Sequence, residues 1–538
     1  MNLNVKKWAA AILPLCLSAA VLFSGCSKSG TPANGSTATV NGSTAASTAS
    51  SQGDKYDSLP KDVSISMFDR GQVSSDEGTY EDNRWVKWIR EQSGINLTVV
   101  PVPRNQAQDK LNVLIASNQA PDLIWEYDRN YIGNLVSQGV IQPLDDYIDK
   151  YSTSYKKYLQ ENPDLKPYIT FDGKIYAMTT RRTISSIANH GIWIRQDWLD
   201  KLKLKTPTTI EELIAVAQAF KDGDPDGNGK ADTVPIVGYT TNDVYAALFG
   251  TDYYDWYLQD GQMKFGPTLD NFGDALAAEK TIYEQGLADK EYFTDNDNSR
   301  AKQLWTTGKA GILLGQWGNM TTSLNRDLLT NDPNAKPVPL EPVATKYGKF
   351  GLYQETPAYI YVTFNKDMKN PKAAMEYLDW LMDKGWFTLT NGLEGVHYKL
   401  ANGVPQQLDA DKFAKEVKYA NEYALLKPAV EKPEDLIVKA AQDPLSQQLA
   451  KLEADSLQIA LKNKFRRDIP YQPNITEINE LKSSFLKTVL DIRAKTVTRK
   501  DYTAEEALAD IRKEWKRLGG DQAEQLAQDW YEKNKANF

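Results

Sequence analysis

Between Val63 and Trp125 the chain changes its hydrophobic period four times. Val63–Phe68 is a short β-rich run. Glu81–Gln92 then places Trp85, Val86, Trp88 and Ile89 at helical spacing, and Gly94 ends that helix. Ile95–Val102 reads as a buried strand, and Gln106–Ser117 as a second helix with Leu111, Leu114 and Ile115 inward. Pro121 leads into a third strand, Asp122–Trp125. A strand–helix–strand–helix–strand series with such short spacers predicts right-handed βαβ units and a parallel sheet.

A second series begins near His190. Gly191–Arg195 is predicted as a strand and Asp197–Leu202 as a short helix. Thr208 with Glu211 and Thr209 with Glu212 form overlapping capping-box patterns ahead of a helix over Ile210–Phe220. Val234–Gly238, Ala310–Gly315 and Tyr359–Phe364 follow as strands, and Asn271–Gln285 as a helix. From about Gln442 onward the pattern is helix after helix, with charged outer faces. No internal repeat is visible. Roughly 480 residues of such sequence exceed what one hydrophobic core supports. The expected class is α/β, with two lobes whose strands interleave along the chain and a helical C-terminal portion.

Only two cysteines and two histidines occur in 538 residues. A zinc site or a Ser-His-Asp arrangement is therefore hard to assemble, whereas carboxylate chemistry stays open. Net charge is −8 and no basic stripe is present, so nucleic acid is a poor candidate partner.

Both cysteines sit at the start. Lys6 and Lys7 precede an uncharged apolar run, Trp8 to Phe23, that closes on Ser24-Gly25-Cys26. That order of basic, apolar and small residues describes a secretory signal over residues 1–25, too short to span a bilayer comfortably. The small pair before Cys26 resembles the lipobox of bacterial lipoproteins, in which the cysteine thiol carries diacylglycerol; Phe23 stands where that pattern favours Leu. The alternative is an ordinary secretion signal with an incidental Cys26. Residues 26–57 are mostly Ser, Thr, Gly, Ala and Asn, and such a segment has too little apolar surface to fold. As a tether it reaches roughly 30 Å. The location this implies is the outer face of the cell membrane, held by lipid.

The sharpest chemical motif is Asp224-Pro-Asp226-Gly-Asn228-Gly229-Lys230-Ala-Asp232. Oxygen-bearing side chains at positions 1, 3, 5 and 9 with Gly at 6 match an EF-hand loop, with Lys230 offering its carbonyl. Alternate residues of a tight loop point inward, as a hard cation needing six to eight oxygens requires. Pro235 stands where the bidentate Glu is expected. The functional reading is a structural Ca2+ site; the alternative is a solvated Asp/Gly turn.

In open α/β lobes ligands sit at the carboxyl ends of strands. Those ends nominate Asp69, Arg70, Trp125 and Tyr127, with Trp193 inside a strand, Trp317 just after another, and Trp256 and Tyr257 in an aromatic cluster. Indole and phenol rings receive sugar C–H faces while placed polar groups bind hydroxyls, so tryptophan-rich clefts suit saccharides. For each ring, core packing is the competing explanation.

Taken in order, Trp85–Trp125, Gly191-Ile-Trp-Ile-Arg-Gln-Asp-Trp-Leu-Asp-Lys-Leu, the acidic loop after Phe220, Gly308-Lys-Ala-Gly311 and Gly392-Leu-Glu-Gly-Val-His397-Tyr resemble extracellular solute-binding lipoproteins of ABC importers. The likeness is to the large oligosaccharide-binding type, related to alginate-oligosaccharide binders, and runs from about residue 60 past 400. It implies a two-lobed, periplasmic-binding-protein-like fold of type II that closes on ligand about a hinge, without catalysis. It implies a first lobe over 58–185, a second over 186–308, a return with hinge crossings over 309–365, and a helical part of the second lobe over 366–538. It adds Glu394 and His397 as ligand contacts in a Gly-rich loop. It also marks Thr233, where the family usually carries an acid, as a sixth position at the cation loop. The implied partners are an oligosaccharide, separate permease and ATPase chains, and the membrane, with a monomer suiting a partner that docks and leaves. No Gly-x-x-x-x-Gly-Lys-Ser/Thr loop is present, in keeping with a separate ATPase. The same fold used for peptide uptake or sensing is one alternative. An anchored glycosidase with two carboxylates is another.

Overall fold

Asp62–Asp69 and Asn96–Pro103 pair in parallel along their whole length, with Asp62 opposite Asn96 and Asp69 opposite Pro103. The computed structural model describes residues 54–187, 190–238, 241–295 and 297–538. The signal, Cys26 and the tether up to residue 53 lie outside the described residues. Leu123–Glu126 adds in parallel on the other side of the first strand, completing the expected βαβ series. Tyr361–Phe364 then joins antiparallel to Leu123–Glu126, so the sheet is mixed where a parallel one was expected. The intervening helix spans Arg84–Ser93, starting three residues later than its periodicity suggests. Thr79 Oγ1 accepts the Glu81 and Asp82 amides, and the Asn83 side chain caps the helix by accepting from Trp85 and Val86. Gly94 ends it in the left-handed region at φ 69°.

A second mixed sheet runs in the order Pro337–Leu340, Gly191–Arg195, Ala310–Gly315, Val234–Gly238. Its helix Ile210–Asp222 begins with a capping box of Thr209 and Glu212; Glu212 also takes the Thr208 amide and hydroxyl, so the overlapping Thr208–Glu211 box does not form. Gly191 is required where it stands, because a Cβ there would lie 2.6 Å from the Trp317 ring.

Two of the sequence-derived boundaries shift. Ala310–Gly315 belongs to the second sheet, parallel to Val234–Gly238 and antiparallel to Gly191–Arg195, and the chain regains the first sheet only at Tyr361. A fully buried apolar strand has no face that tells one sheet from another. Residues 368–426, expected with the second lobe, instead bury Met375, Tyr377, Leu378, Leu389, Tyr419 and Leu426 in the core of the first sheet. The terminal helices Thr476–Thr498, Ala504–Arg517 and Gly520–Asn534 close over Trp256, Phe265, Phe272 and Leu276. Arg493 and Glu279 pin them through a buried bidentate ion pair. Among the described residues no helix is long and apolar enough to cross a membrane.

Candidate functional site

Pro371 opens a helix capped by the Asn370 side chain, which accepts from Ala373, and the helix runs to Trp380. Leu381–Gly385 then winds as a π-turn before helical Trp386–Asn391 resumes. Gly385 allows this, since a Cβ there would stand 2.7 Å from the Trp380 ring. A π-turn rotates every later side chain around the axis, and such turns cluster at functional sites. Here Trp386, Phe387, Thr390 and Asn391 line one side of a cavity of about 410 Å3. Trp386 and Phe387 meet edge to face at 5.5 Å.

The rest of the lining comes from other segments of the chain. The hairpin Tyr398–Ala401/Val404–Gln407 turns through Asn402 and Gly403, both at positive φ, and its tip presents Val404 and Pro405. The 3-10 turn Lys418–Tyr423 buries Tyr419, Ala420 and Tyr423, which leaves Asn421 on the cavity wall. Tyr419 donates to Glu77 at 2.9 Å and Tyr423 to the Tyr80 carbonyl at 2.7 Å, which locks this turn onto the first lobe. Arg181 and Tyr359 complete the wall beside Lys427.

Tyr359 links the cavity to the strand ends nominated from sequence. Its ring meets Tyr127 edge-on at 5.5 Å, and Arg182 lies over it at 5.4 Å. Arg70 donates to the Tyr127 hydroxyl at 3.3 Å and to Glu422 at 2.8 Å. Burial pushes the Glu422 carboxyl up, with Arg70 pulling it back, and burial raises the Tyr127 phenol well above its usual range. Burial lowers the Lys427 ammonium to about 8.

The nominated residues divide accordingly. Arg70 and Tyr127 lie beside the cavity, with Asp69 exposed and accepting the Gly71 amide at 2.8 Å. Trp125, Trp193, Trp256, Tyr257, Trp317 and His397 are each at most 1% exposed and are core positions, which corrects their nomination as ligand faces. Trp125 and Trp193 spend their indole N–H on the Ser66 and Gln316 carbonyls, both at 2.7 Å. Trp317 packs on Gly191, and Trp256 on Phe265 and Trp515. Tyr257 lies beneath Arg466. Large rings at these positions gain more from core burial than from a strand-end position. His397 accepts the Leu393 amide, which makes it an anchor of the Gly-rich loop, while Glu394 on that loop is exposed. Tyr359, Trp386, Phe387, Arg181 and Lys427 were not foreseen. Lys427 carried a readable signal, directly following the apolar run Tyr423–Leu426.

The acidic loop joins helix Ile210–Asp222 to strand Val234–Gly238, without a second helix. Gly229 takes φ 73°, as the turn requires. Asn228 Nδ2 donates to Asp226 at 2.7 Å and to Asp232 at 2.8 Å, standing between two carboxylates, and Lys309 binds the other Asp232 oxygen. Asp224 Oδ1 is buried without a partner, as is Thr233 Oγ1. Asp226 is pushed up, by burial first and then by sharing a hydrogen bond with Asp224, which is correspondingly lowered. Among the described residues no three His, Cys, Asp or Glu side chains already stand as a metal cluster. The donor set nevertheless fits a hard cation: three carboxylates gather within nine residues, their mutual repulsion is held off only by the Asn228 amide, by Lys309 and by the raised Asp226, and no hydrogen-bond donor among the described residues reaches Asp224 Oδ1.

The profile of the bacterial extracellular solute-binding proteins matches residues 78–386, and the chain belongs to that family. It is 29% identical over 331 residues to the polygalacturonan/rhamnogalacturonan-binding protein YtcQ of Bacillus subtilis, covering 59% of this chain and 64% of that one. It is 37% identical over 209 residues to the fructooligosaccharide ABC transporter substrate-binding protein FusA of Streptococcus pneumoniae, covering 36% of this chain and 39% of that one. The chain thus spans less than two thirds of the length of either relative. In structure, FusA in complex with kestose superposes with a TM-score of 0.62 at 21% identity over 89% of this chain and 100% of that one. Alginate-binding protein AlgQ2 without calcium ion superposes at 0.59 with 20% identity, covering 88% of this chain and 98% of that one. The fold is the two-lobed, type II solute-binding architecture.

Proposed function

We propose that this protein captures an extracellular oligosaccharide in the cavity beside Trp386, Phe387 and Tyr359 and delivers it to an ABC permease. The carrying observation is the composition of that wall: aromatic rings for pyranose faces, with Arg181, Asn391, Asn421 and Lys427 for hydroxyls and ring substituents. Arg70, Tyr127 and Glu422 extend the polar surface along the strand ends. YtcQ and FusA, by name a polysaccharide and an oligosaccharide binder, support a saccharide over a peptide. Ligand that contacts both lobes favours the closed arrangement, which the permease reads. The protein itself performs no bond-breaking step.

Lipid on Cys26 and the tether behind it keep the binder near its permease, as a monomer. The Asp224–Asp232 loop holds Ca2+ as a structural clamp: Asp224, Asp226 and Asp232 supply carboxylates, Asn228 its amide oxygen, Lys230 its carbonyl, and Thr233 a hydroxyl at the rim. The cation supplies charge neutralisation there; the loop then fixes the junction between helix and strand.

The test is a thermal-shift and calorimetric screen of the mature chain against oligosaccharides and peptides, with product analysis. A sugar at 100 times its dissociation constant adds about 2.7 kcal/mol to stability and is recovered unchanged. A shift with peptides alone overturns the saccharide reading, and shortened sugar products overturn the binder reading.

A further inference from the structure

The parallel strands Val234–Gly238 and Ala310–Gly315 end at the edge of the second sheet where Gly191–Arg195 begins, since Leu314 pairs with Gly238 and Gly315 with Gly191. Open α/β sheets meet their ligands outside the carboxyl ends of parallel strands. His190 stands just before Gly191, and Asp243 lies in helix Thr241–Leu248, which follows Gly238. His190 is only 8% exposed, yet its Nδ1 is buried without a partner, as is Asp243 Oδ1. His190 Nε2 and Asp243 Oδ2 are 3.9 Å apart, too far for a hydrogen bond. Among the described residues the cation acting on Asp243 is Arg493, which is already paired with Glu279. Lys482 and Arg467 act on Asp255 instead and donate to the Tyr254 and Gln354 carbonyls. Tyr254 is the exposed ring, at 47%, of the aromatic cluster whose Trp256 and Tyr257 are core. Its amide donates to Asp252 and its carbonyl accepts from Lys482, both at 2.6 Å, so the ring stands on a fixed backbone. Burial first, then Asp243 and Asp252, push its phenol up, which sets the ring near those carboxylates.

We infer that this edge is the second-lobe half of the ligand site, where an uncharged sugar ring lies against Tyr254 while its hydroxyls satisfy His190 and Asp243. This rests on the oligosaccharide reading and adds the contact which that reading needs on the other lobe. A hydroxyl donates and accepts at once, so one oxygen beside the 3.9 Å gap reaches imidazole and carboxylate together. Burial keeps the His190 imidazole neutral, which leaves it one donor and one acceptor. An unpartnered carboxylate oxygen takes a hydroxyl donor and repels an anion, so the ring seated here carries no acid group. The phenol face of Tyr254 receives the C–H face of the sugar. Both halves lie within the span of one ligand. Tyr353 packs on the core of the second sheet with its ring 5.4 Å from that of His190, while Tyr359 packs on the core of the first sheet and lines the cavity beside Trp386. The segment from Tyr353 to Tyr359 extends at most roughly 21 Å, a length that an oligosaccharide of a few rings covers.

Calorimetry on the intact mature protein with kestose, cellotetraose, mannotetraose and galactotetraose identifies the tightest neutral ligand, with trigalacturonate and a glucosamine trimer as charged controls. Asp243→Asn and Tyr254→Ala should each weaken that ligand at least tenfold, and Tyr254→Phe, which restores the ring, should recover most of the loss; melting curves verify that the variants fold. Hydrogen exchange should show the sugar protecting the amides of residues 251–257, a local signal that a purely structural role does not produce. Undiminished affinity in either Asp243→Asn or Tyr254→Ala, or no protection over 251–257, means that water alone fills the pair; this overturns the inference and leaves the oligosaccharide reading standing. A charged trimer bound more tightly than every neutral sugar overturns it as well. If no saccharide of any kind binds, both readings fall together.

Discussion

His397 Nε2 donates to Glu416 Oε2 across 3.1 Å, and the direction is set because His397 Nδ1 already accepts the Leu393 amide at 2.9 Å. Glu416 also takes Arg84 at 2.6 Å, and this set of bonds, His397 first, holds its carboxyl below the usual range. The ring lies directly under Gly392, where a Cβ would approach it to 2.6 Å. His397 thus holds the loop that leads into the hairpin forming one cavity wall.

Replacing His397 with Ala leaves the part-buried Leu393 amide unpaired and opens a void beneath Gly392. Urea unfolding should show a loss of about 1–3 kcal/mol. Gly392→Ala should be destabilising as well, through the same contact and through its φ of 80°.

The Arg493–Glu279 pair predicts a larger effect. Both side chains are buried, and Tyr292 donates to Glu279 at 2.7 Å. Glu279→Ala leaves the guanidinium uncompensated beneath the terminal helices and should cost roughly 3–5 kcal/mol. A double replacement by apolar residues of similar volume should recover much of that loss.

Two buried groups give opposing pH dependences. Burial lowers the His190 imidazole from 6.5 to about 4, so its contribution to stability is present above pH 6.5 and lost as pH falls towards 4. Burial, with repulsion from Asp255 second, raises Asp252 from 3.8 to about 7, so its contribution is present below 3.8 and lost as pH rises through 7. Each proton carries a slope of about 1.4 kcal/mol per pH unit, and the two oppose each other between about 4 and 6.5. Melting temperatures over that window should fall with rising pH in His190→Phe and rise with pH in Asp252→Asn. Matching slopes in both variants would contradict the assignment.

Calcium added to metal-stripped protein should raise the melting temperature, and chelator should reverse it. Asp226→Asn and Asp232→Ala should abolish the shift. Because burial, and Asp224 second, push the Asp226 carboxyl up, binding should release protons and strengthen with pH through the carboxylate range.

Much of this molecule was readable from local pattern. The alternation from Val63 to Trp125, the Thr209 capping box and the helical C-terminal portion emerge with ends displaced by a few residues. The Asp224–Asp232 loop was visible as well, because its donors alternate within nine residues. Period, caps and turns act over one or two turns of chain, so one sequence determines them. The strand Ala310–Gly315 and the rings of Trp193, Trp256 and Trp317 were a different matter. Their composition marked them as buried or aromatic, but which sheet the strand joins and whether a ring meets core or cleft depend on partners dozens to hundreds of residues away. The cavity is the extreme case: Arg181, Tyr359, Trp386, Asn421 and Lys427 are far apart in sequence and converge only where distant segments pack against the first-sheet core and the π-turn sets the direction of Trp386. The sequence determined where each element lies, because hydrophobic period and backbone hydrogen bonding are local; the tertiary structure alone decided the site, because burial and charge pairing are summed over segments that meet only in the folded chain.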